Sequence, residues 1–487
     1  MTLKRTAIGS LLMATIPWDG FIGGTYLDRH PAVSFEDLVN RYPEITVAPG
    51  TRAKAPLVLK RTPGLAVFAT AGSGPIRAAF YQDGRAFVVS GTGFYELDAA
   101  GVATSLGTVA SNVNPAQISS NGTAGNQLMI ISGGLGYIYN LSTGVFAQIT
   151  DAQFPSNVIM GGFIDGYFVV LPQDTRAFYF STLEDGTGWA SSDVNEKSQT
   201  SDNVRAMVVD RRLVYLIGSK TIEPWFNTGD AQVTFAPVQD LIQHGIGSPW
   251  SVVPINNTLA WLGEDEHGAG QAWMLQGYTP VRFSTHAIEG QWREYGSLRD
   301  AYAHGYQEEG HTFYQVTFPN KGTWVYDFAS GMWHRRARLV EGAEEPHLAR
   351  CHMYAFDKHL AGSRIDGTVY EQSLSYLDDA GSPIRWVRRS PHFFASRPIC
   401  VDSFRLDCAA GIGLTTGQGS NPQVMLRYTL DGHTWSDELL ESVGAIGEYR
   451  TQAQWNRLGQ TEGFIGIEIA GSDPVDDVLI GAQFEVS

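Results

Sequence analysis

The stretch GSKTIEPWFNTGDAQVTFAPVQDLIQHGIGSPWSVVPINNTLAWLGEDEHGAGQAWMLQGYTPVRFSTHAIE, Gly218–Glu289, reads as two β-rich units set back to back. Thr258-Leu259-Ala260-Trp261-Leu262 and Gln271-Ala272-Trp273-Met274-Leu275 are apolar runs of strand length, parted by a polar turn that carries Gly263, Gly268 and Gly270. No part of the stretch repeats with a helical period, so sheet is expected throughout.

Working outward, the same pairing of apolar runs recurs along the chain. Ala86–Ser90 goes with Phe94–Leu97, Leu128–Ser132 with Tyr137–Leu141, Tyr167–Leu171 with Ala177–Ser181, and Leu213–Ile217 with Thr221–Phe226. After the quoted stretch come Thr312–Phe318 with Thr323–Asp327, then His359–Gly362 with Thr368–Glu371. That makes about seven units, with starts roughly 40 to 54 residues apart, a period that fits four-stranded propeller blades. The Gly-His and Trp-Asp marks of the best-known propeller repeat are missing. The expected class is all-β, with a β-propeller of about seven blades over residues 74–391; a stacked pair of β-sandwiches is the alternative.

The two ends read differently. Residues 1–73 are punctuated by Pro17, Pro31, Pro43, Pro49, Pro56 and Pro63, too often for a regular sheet, and are expected to form an extended arm that lies on a neighbour. Ser34-Phe35-Glu36-Asp37 has capping-box form and predicts a short helix ending before Pro43. Over residues 392–487, Ile399–Leu406, Val424–Leu430, Phe464–Ile469 and Val478–Phe484 predict a C-terminal β-sandwich or jelly-roll-like domain. Lys4-Arg5 followed by Ala7–Ile16 imitates a signal peptide, but Gly9, Ser10 and Thr15 interrupt it and no clean cleavage site follows. No run approaches the roughly 20 apolar residues of a membrane helix, so no membrane insertion is expected.

Composition narrows the chemistry. The 487 residues are enough for a large core, and 54 Gly among many aromatics favour short strands joined by tight turns. With 34 Lys plus Arg against 50 Asp plus Glu the net charge is −16, the wrong sign for tight binding to duplex phosphates. Cys351, Cys400 and Cys408 have neither disulfide-framework nor zinc spacing and read as buried free thiols, in keeping with folding in a reducing cytoplasm.

Glu264-Asp265-Glu266-His267 is the densest titratable cluster, and paired carboxylates are what glycoside hydrolysis requires; its flanking glycines read instead as an exposed hairpin loop. Thr429-Leu430-Asp431-Gly432-His433-Thr434-Trp435 is similar to the Asp box of sialidase-type propellers, with one residue too few between Asp and Gly, and an Asp-Gly turn accounts for it. Ser90–Gly93 and Gly411–Gly419 are Gly-rich without phosphate-loop spacing, and no Gly-x-Ser-x-Gly elbow occurs. No catalytic group, metal or cofactor is expected. Arg335, Arg336 and Arg338, with Arg385, Arg388 and Arg389, are the two basic groups; ion pairs between domains or subunits are one reading, and a lining that meets DNA phosphates loosely is the other.

Thr221–Ala231, the Ile242–Val252 step, Asn257–Gly268 and Gln276–Glu289 together resemble the packaged-DNA stabilisation proteins, the tail hub or nozzle subunits of short-tailed bacteriophages. The resemblance extends more weakly through KRTPGL (Lys60–Leu65), TLEDGTGW (Thr182–Trp189), AGSRIDGTVY (Ala361–Tyr370) and SPIRWVRRSPH (Ser382–His392), and covers little before about Thr51 or after about Pro398. It implies a virion tail protein, folded and assembled in the host cytoplasm. By that resemblance it forms a hexameric ring below the head-to-tail adaptor ring, meets tailspike and needle or tip proteins, and lets duplex DNA pass without sequence preference while retaining the packaged genome. The alternative function is a carbohydrate-processing or carbohydrate-binding β-propeller.

Overall fold

The computed structural model describes residues 14–18, 20–46, 55–230, 232–265, 267–395 and 397–487. The chain divides into two compact units, one of Gly64–Ala329 with Val340–Gly381, the other of Met1–Pro63 with Ser330–Leu339 and Ser382–Ser487.

The larger unit is a β-propeller of seven blades. The first five are consecutive four-stranded antiparallel sheets, starting from the inner strands Ile76–Gln82, Gln117–Ser120, Val158–Ile164, Val204–Asp210 and Val253–Ile255. The sixth contributes Tyr302–Glu308, His311–Phe318 and Gly322–Asp327, and the seventh contributes Ala349–Ala355, Lys358–Ser363 and Thr368–Ser373. All seven expected pairs of runs fall in these blades in order.

The second strand of each blade explains why the apolar runs are continuous. In a sheet with one wet face the residues would alternate, but here both faces are covered by neighbouring blades. Ala86 and Val88 pack with Met353 and Leu360 of the seventh blade, while Phe87 and Val89, pointing the other way, pack with Leu128 and Ile130 of the second. Met129 and Ile131 then meet Phe168 and Val170 of the third, whose Val169 and Leu171 turn towards Val214 and Leu216 of the fourth. Each fully buried Val, Leu, Ile, Phe or Met among them contributes about 1.5–3 kcal/mol.

The ring closes through a strand the sequence reading had assigned to the arm. Gly64–Thr70 pairs antiparallel with Thr368–Ser373, with Thr70 opposite Thr368 and Gly64 opposite Ser373, and is the fourth strand of the last blade. A Cβ on Gly64 would stand 2.5 Å from the carbonyl oxygens of Tyr376 and Asp378, so this entry to the closing strand admits glycine alone. The boundary expected at residue 73 is therefore displaced to Pro63.

One helix, His286–Glu294, begins inside the quoted stretch and corrects the expectation of sheet throughout. The Thr285 hydroxyl accepts from the Ile288 N–H at its start, and Ala287, Ile288 and Trp292 are buried.

The second unit is the β-sandwich expected at the C-terminus, built from more of the chain than 392–487. One sheet runs Arg41–Ile45, Leu57–Arg61, Leu479–Val486, Ile399–Cys408 and Gln454–Thr461, with Ala14–Pro17 also paired to Leu479–Val486. The other holds Met332–Val340, Phe35–Val39, Trp386–Arg389, Phe464–Gly471, Gln423–Thr429 and Leu439–Ser442 in that order. Between them lie Phe21, Leu38, Leu59, Trp386, Phe404, Ile467 and Phe484.

The N-terminal segment is thus part of its own chain's sandwich and not a free arm. The predicted helix at Ser34 is a strand: Ser34 Oγ accepts from the Glu36 N–H at 3.2 Å, and Leu38 pairs with Arg388 across the sheet. Pro43 is tolerated because Arg41–Ile45 is an edge strand, where a missing ladder donor costs little. Of the signal-like N-terminus, residues 1–13 lie outside the described residues. Cys400 is exposed, contrary to expectation, while Cys351 and Cys408 are half-buried.

Candidate functional site

The six arginines singled out in the sequence all fall in the sandwich unit, on Met332–Val340 and on or beside Trp386–Arg389, which flank the N-terminal strand Phe35–Val39. Arg388 is fully buried and donates to the carbonyls of Phe21 at 2.7 Å, Gly24 at 2.9 Å and Gly20 at 3.4 Å, and to Glu36 Oε1 at 2.5 Å. Arg335 pairs with Asp37 at 3.1 Å, and the buried Arg336 donates to the Pro63 carbonyl at 2.6 Å. Arg335, Arg336 and Arg388 clasp residues 20–37, and Pro63, to the body of the sandwich.

Burial closes Arg336 and Arg388 to a partner subunit and to DNA, so an interface or channel role does not extend to them. Arg389 and Arg427 both hold Glu468 at 2.6 Å and both lie over the Trp435 ring, at 5.4 and 5.6 Å. Burial opposes ionisation of Glu468, but the two guanidiniums outweigh it and hold its carboxyl below the usual range. Arg385 stands 3.6 Å from Glu438 with both partly exposed, and Arg338 is half-buried.

Sequence reasoning missed the counterpart on the other sheet. Arg41, fully buried, pairs with Asp477 at 2.5 Å and lies over the Trp386 ring at 3.9 Å, and Arg61 donates to the Val475 carbonyl at 2.6 Å. Single arginines in strands carry no local signal of this use; their partners lie more than 400 residues away.

The other candidate motifs resolve into turn chemistry. Asp265 Oδ1 accepts the N–H groups of His267 at 2.8 Å and Ala269 at 2.7 Å, and Glu264 faces Arg205 at 3.7 Å. Glu266 lies outside the described residues. Asp431 Oδ1 accepts from the N–H groups of Thr434 at 2.7 Å and His433 at 2.8 Å, bonds that hold its carboxyl below the usual range. Lys197, a fully buried charged group of the propeller, is held by Asp202 Oδ1 at 2.6 Å and Thr221 Oγ1 at 2.7 Å. Each of these groups organises backbone; none is presented with a nucleophile or an acid–base partner in a cleft.

Two of the concavities among the described residues lie where a ligand or a duct is of interest, one in each unit. In the sandwich, a cavity of about 1020 Å³ is bordered by Trp18, Leu57, Arg405, Tyr449 and Gln483. In the propeller, an axial cavity of about 510 Å³ is lined by the inner strands and the turns leading into them, among them Arg77, Gln117, Phe163, Val208, Trp250, Tyr302 and Arg350.

The fold defines a two-unit all-β protein, a closed seven-bladed propeller with a β-sandwich that gathers strands from three stretches of the chain. A family model described as Bacteriophage P22 Gp10, beta-propeller, matches residues 32–375, and one described as Bacteriophage P22 Gp10, beta-sandwich, matches residues 385–487. The chain belongs to the bacteriophage P22 Gp10 family and is a bacteriophage structural protein. No curated protein sequence matches it.

Among solved structures, the chain is similar to the extracellular domain of a putative one-component system, BT4673, from B. thetaiotaomicron, at 9% identity and a TM-score of 0.42 over 64% of this chain and 40% of that one, and so spans less than half of its length. A streptogramin B lyase matches at 11% identity and a TM-score of 0.40 over 64% of this chain and 98% of its own. BamB from Moraxella catarrhalis matches at 12% identity and a TM-score of 0.37, over 69% and 99%. Among the described residues no helix is long and apolar enough to cross a membrane.

Proposed function

We propose that this protein is the tail hub, or nozzle, subunit of a short-tailed phage: a non-enzymatic subunit that assembles as a homohexameric ring below the head-to-tail adaptor, retains the packaged DNA and forms part of its ejection channel. The observation that carries this reading is the match of the P22 Gp10 models to both units, over residues 32–375 and 385–487.

Two physical features support it. The axial cavity of the propeller, about 510 Å³, cannot admit a duplex whose major groove alone is about 12 Å wide, so any duct must be formed between subunits, as a ring provides. The net charge of −16, with Arg336, Arg388 and Arg389 engaged inside the chain, suits a wall that DNA slides past without sticking. Retention then comes from a constriction or a plugging partner released by movement of loops or subunits. In this reading the adaptor ring lies above, and tailspike and needle or tip proteins are further partners.

Native mass spectrometry of the purified protein with and without its adaptor tests the assembly. Six copies on an adaptor ring are expected; a subunit that stays monomeric and unbound at micromolar adaptor contradicts the reading.

A further inference from the structure

The axial cavity has an electrostatic character opposite to that of the protein. In a chain with a net charge of −16, the described residues lining the cavity include two arginines, Arg77 and Arg350, and no carboxylate. Arg77 rises from the inner strand of the first blade, Arg350 from that of the seventh, and contact between these neighbouring strands brings the two together.

Both guanidiniums are pinned by the loop that follows the first blade. Arg77, 2% exposed, donates from Nε to the Asn114 carbonyl at 2.9 Å and from Nη1 to those of Gly91 at 2.8 Å and Ala110 at 3.4 Å. Arg350 donates from Nη2 to the Val113 carbonyl at 2.5 Å and lies over the Tyr302 ring at 5.4 Å. Each is left with a buried donor that has no acceptor among the described residues, Nη2 of Arg77 and Nε of Arg350. Two like charges, partly desolvated and each with a buried, unused N–H, thus sit on neighbouring strands of the cavity wall.

We propose that Arg77 and Arg350 form an oxyanion site in the wall of the propeller's axial cavity, one that takes a phosphate dianion, free or as a small monoester. A planar guanidinium presents its donors in a fork that matches phosphate oxygens, and two of them balance the charge of about −1.5 to −2 that a phosphate monoester carries at neutral pH. Burial, and then the charge of Arg350, pull the Arg77 guanidinium down to about 10, the sign of a cation without an anionic neighbour. Beyond the arginines, Gln117, Ser119 and Ser120 offer polar groups, and Phe80, Phe163 and Trp250 an apolar wall for the rest of a monoester. Duplex DNA is excluded by size. The site does not depend on the tail-hub reading, and its test needs only the isolated chain.

Isothermal titration of the full chain with inorganic phosphate, and separately with a nucleoside monophosphate, is compared with sodium chloride at matched ionic strength. Phosphate is expected to bind saturably at one site per chain, and Arg350→Gln to weaken it at least about tenfold. Arg77→Gln also removes three carbonyl contacts and carries the risk of misfolding; Arg350→Lys, which keeps the charge and loses the fork, is the second variant, with intermediate affinity expected. Tighter binding of the monoester than of phosphate assigns the cavity to an organic ligand; equal binding assigns it to the free ion. No saturable heat with either anion, or identical affinity in Arg350→Gln, overturns the proposal.

Discussion

Replacing Arg388 with alanine tests how the N-terminal segment is held. The side chain is fully buried, and its guanidinium satisfies Glu36 and the carbonyls of Phe21, Gly24 and Gly20 at once. Its loss leaves the Glu36 carboxylate, itself 17% exposed, without its partner. Removing one member of a buried pair costs about 3–5 kcal/mol. In a unit of this size each kcal/mol lowers the midpoint by about 2–4 °C, so a fall of roughly 6–20 °C is expected. Differential scanning calorimetry should show the sandwich transition moving down while the propeller transition holds. Limited proteolysis should then cut within residues 20–37, which Arg388 holds, before the rest of the described unit. Arg385→Ala is the control: its partner Glu438 is 3.6 Å away and both are partly exposed, so the cost should stay under about 1 kcal/mol. A loss from Arg388→Ala no larger than that of the control refutes the account of the clasp.

Three further outcomes are expected. Glu468→Gln should lower sandwich stability at neutral pH by about 1.5–3 kcal/mol, read by urea unfolding; because the carboxyl is held below its usual 4.5, its contribution is present above that pH and lost as pH falls through the depressed value, so the gap to the unmodified protein should close in acid. Phe87→Ala, at a fully buried position between the first two blades, should cost the propeller about 3–5 kcal/mol, and a change under about 1 kcal/mol argues against interblade packing at that residue. The free subunit should not shift duplex DNA at physiological salt, whereas tight, salt-sensitive binding would replace a gate with a clamp.

The propeller was legible because its stabilising interactions are written locally. Runs such as Leu128–Ser132 and Leu213–Ile217 are apolar at every position since each face meets a blade, and their spacing repeats the blade. What the sequence hid is what sits between distant segments. Phe35–Val39 reads FEDLV, a poor strand on propensity, and becomes one because Glu36 and Asp37 are neutralised by Arg388 and Arg335, about 300 to 350 residues later. The same distance hid the closing strand: nothing in Gly64–Thr70 tells that its partner is Thr368–Ser373. The helix His286–Glu294 was missed because Gly290 and its polar neighbours dilute the period, and its only local mark is the Thr285 cap. The basic groups were found as groups, but their use inside the sandwich depended on strand order, which spacing does not encode.

Genome retention by particles assembled without this subunit tests the central claim most directly. Heads that package DNA but lack the protein should release their DNA on standing, seen as empty capsids by cryo-electron microscopy and as nuclease-sensitive genomes in solution, and addition of the purified subunit before release should keep them full. Heads that stay full and nuclease-resistant in its absence contradict the retention role.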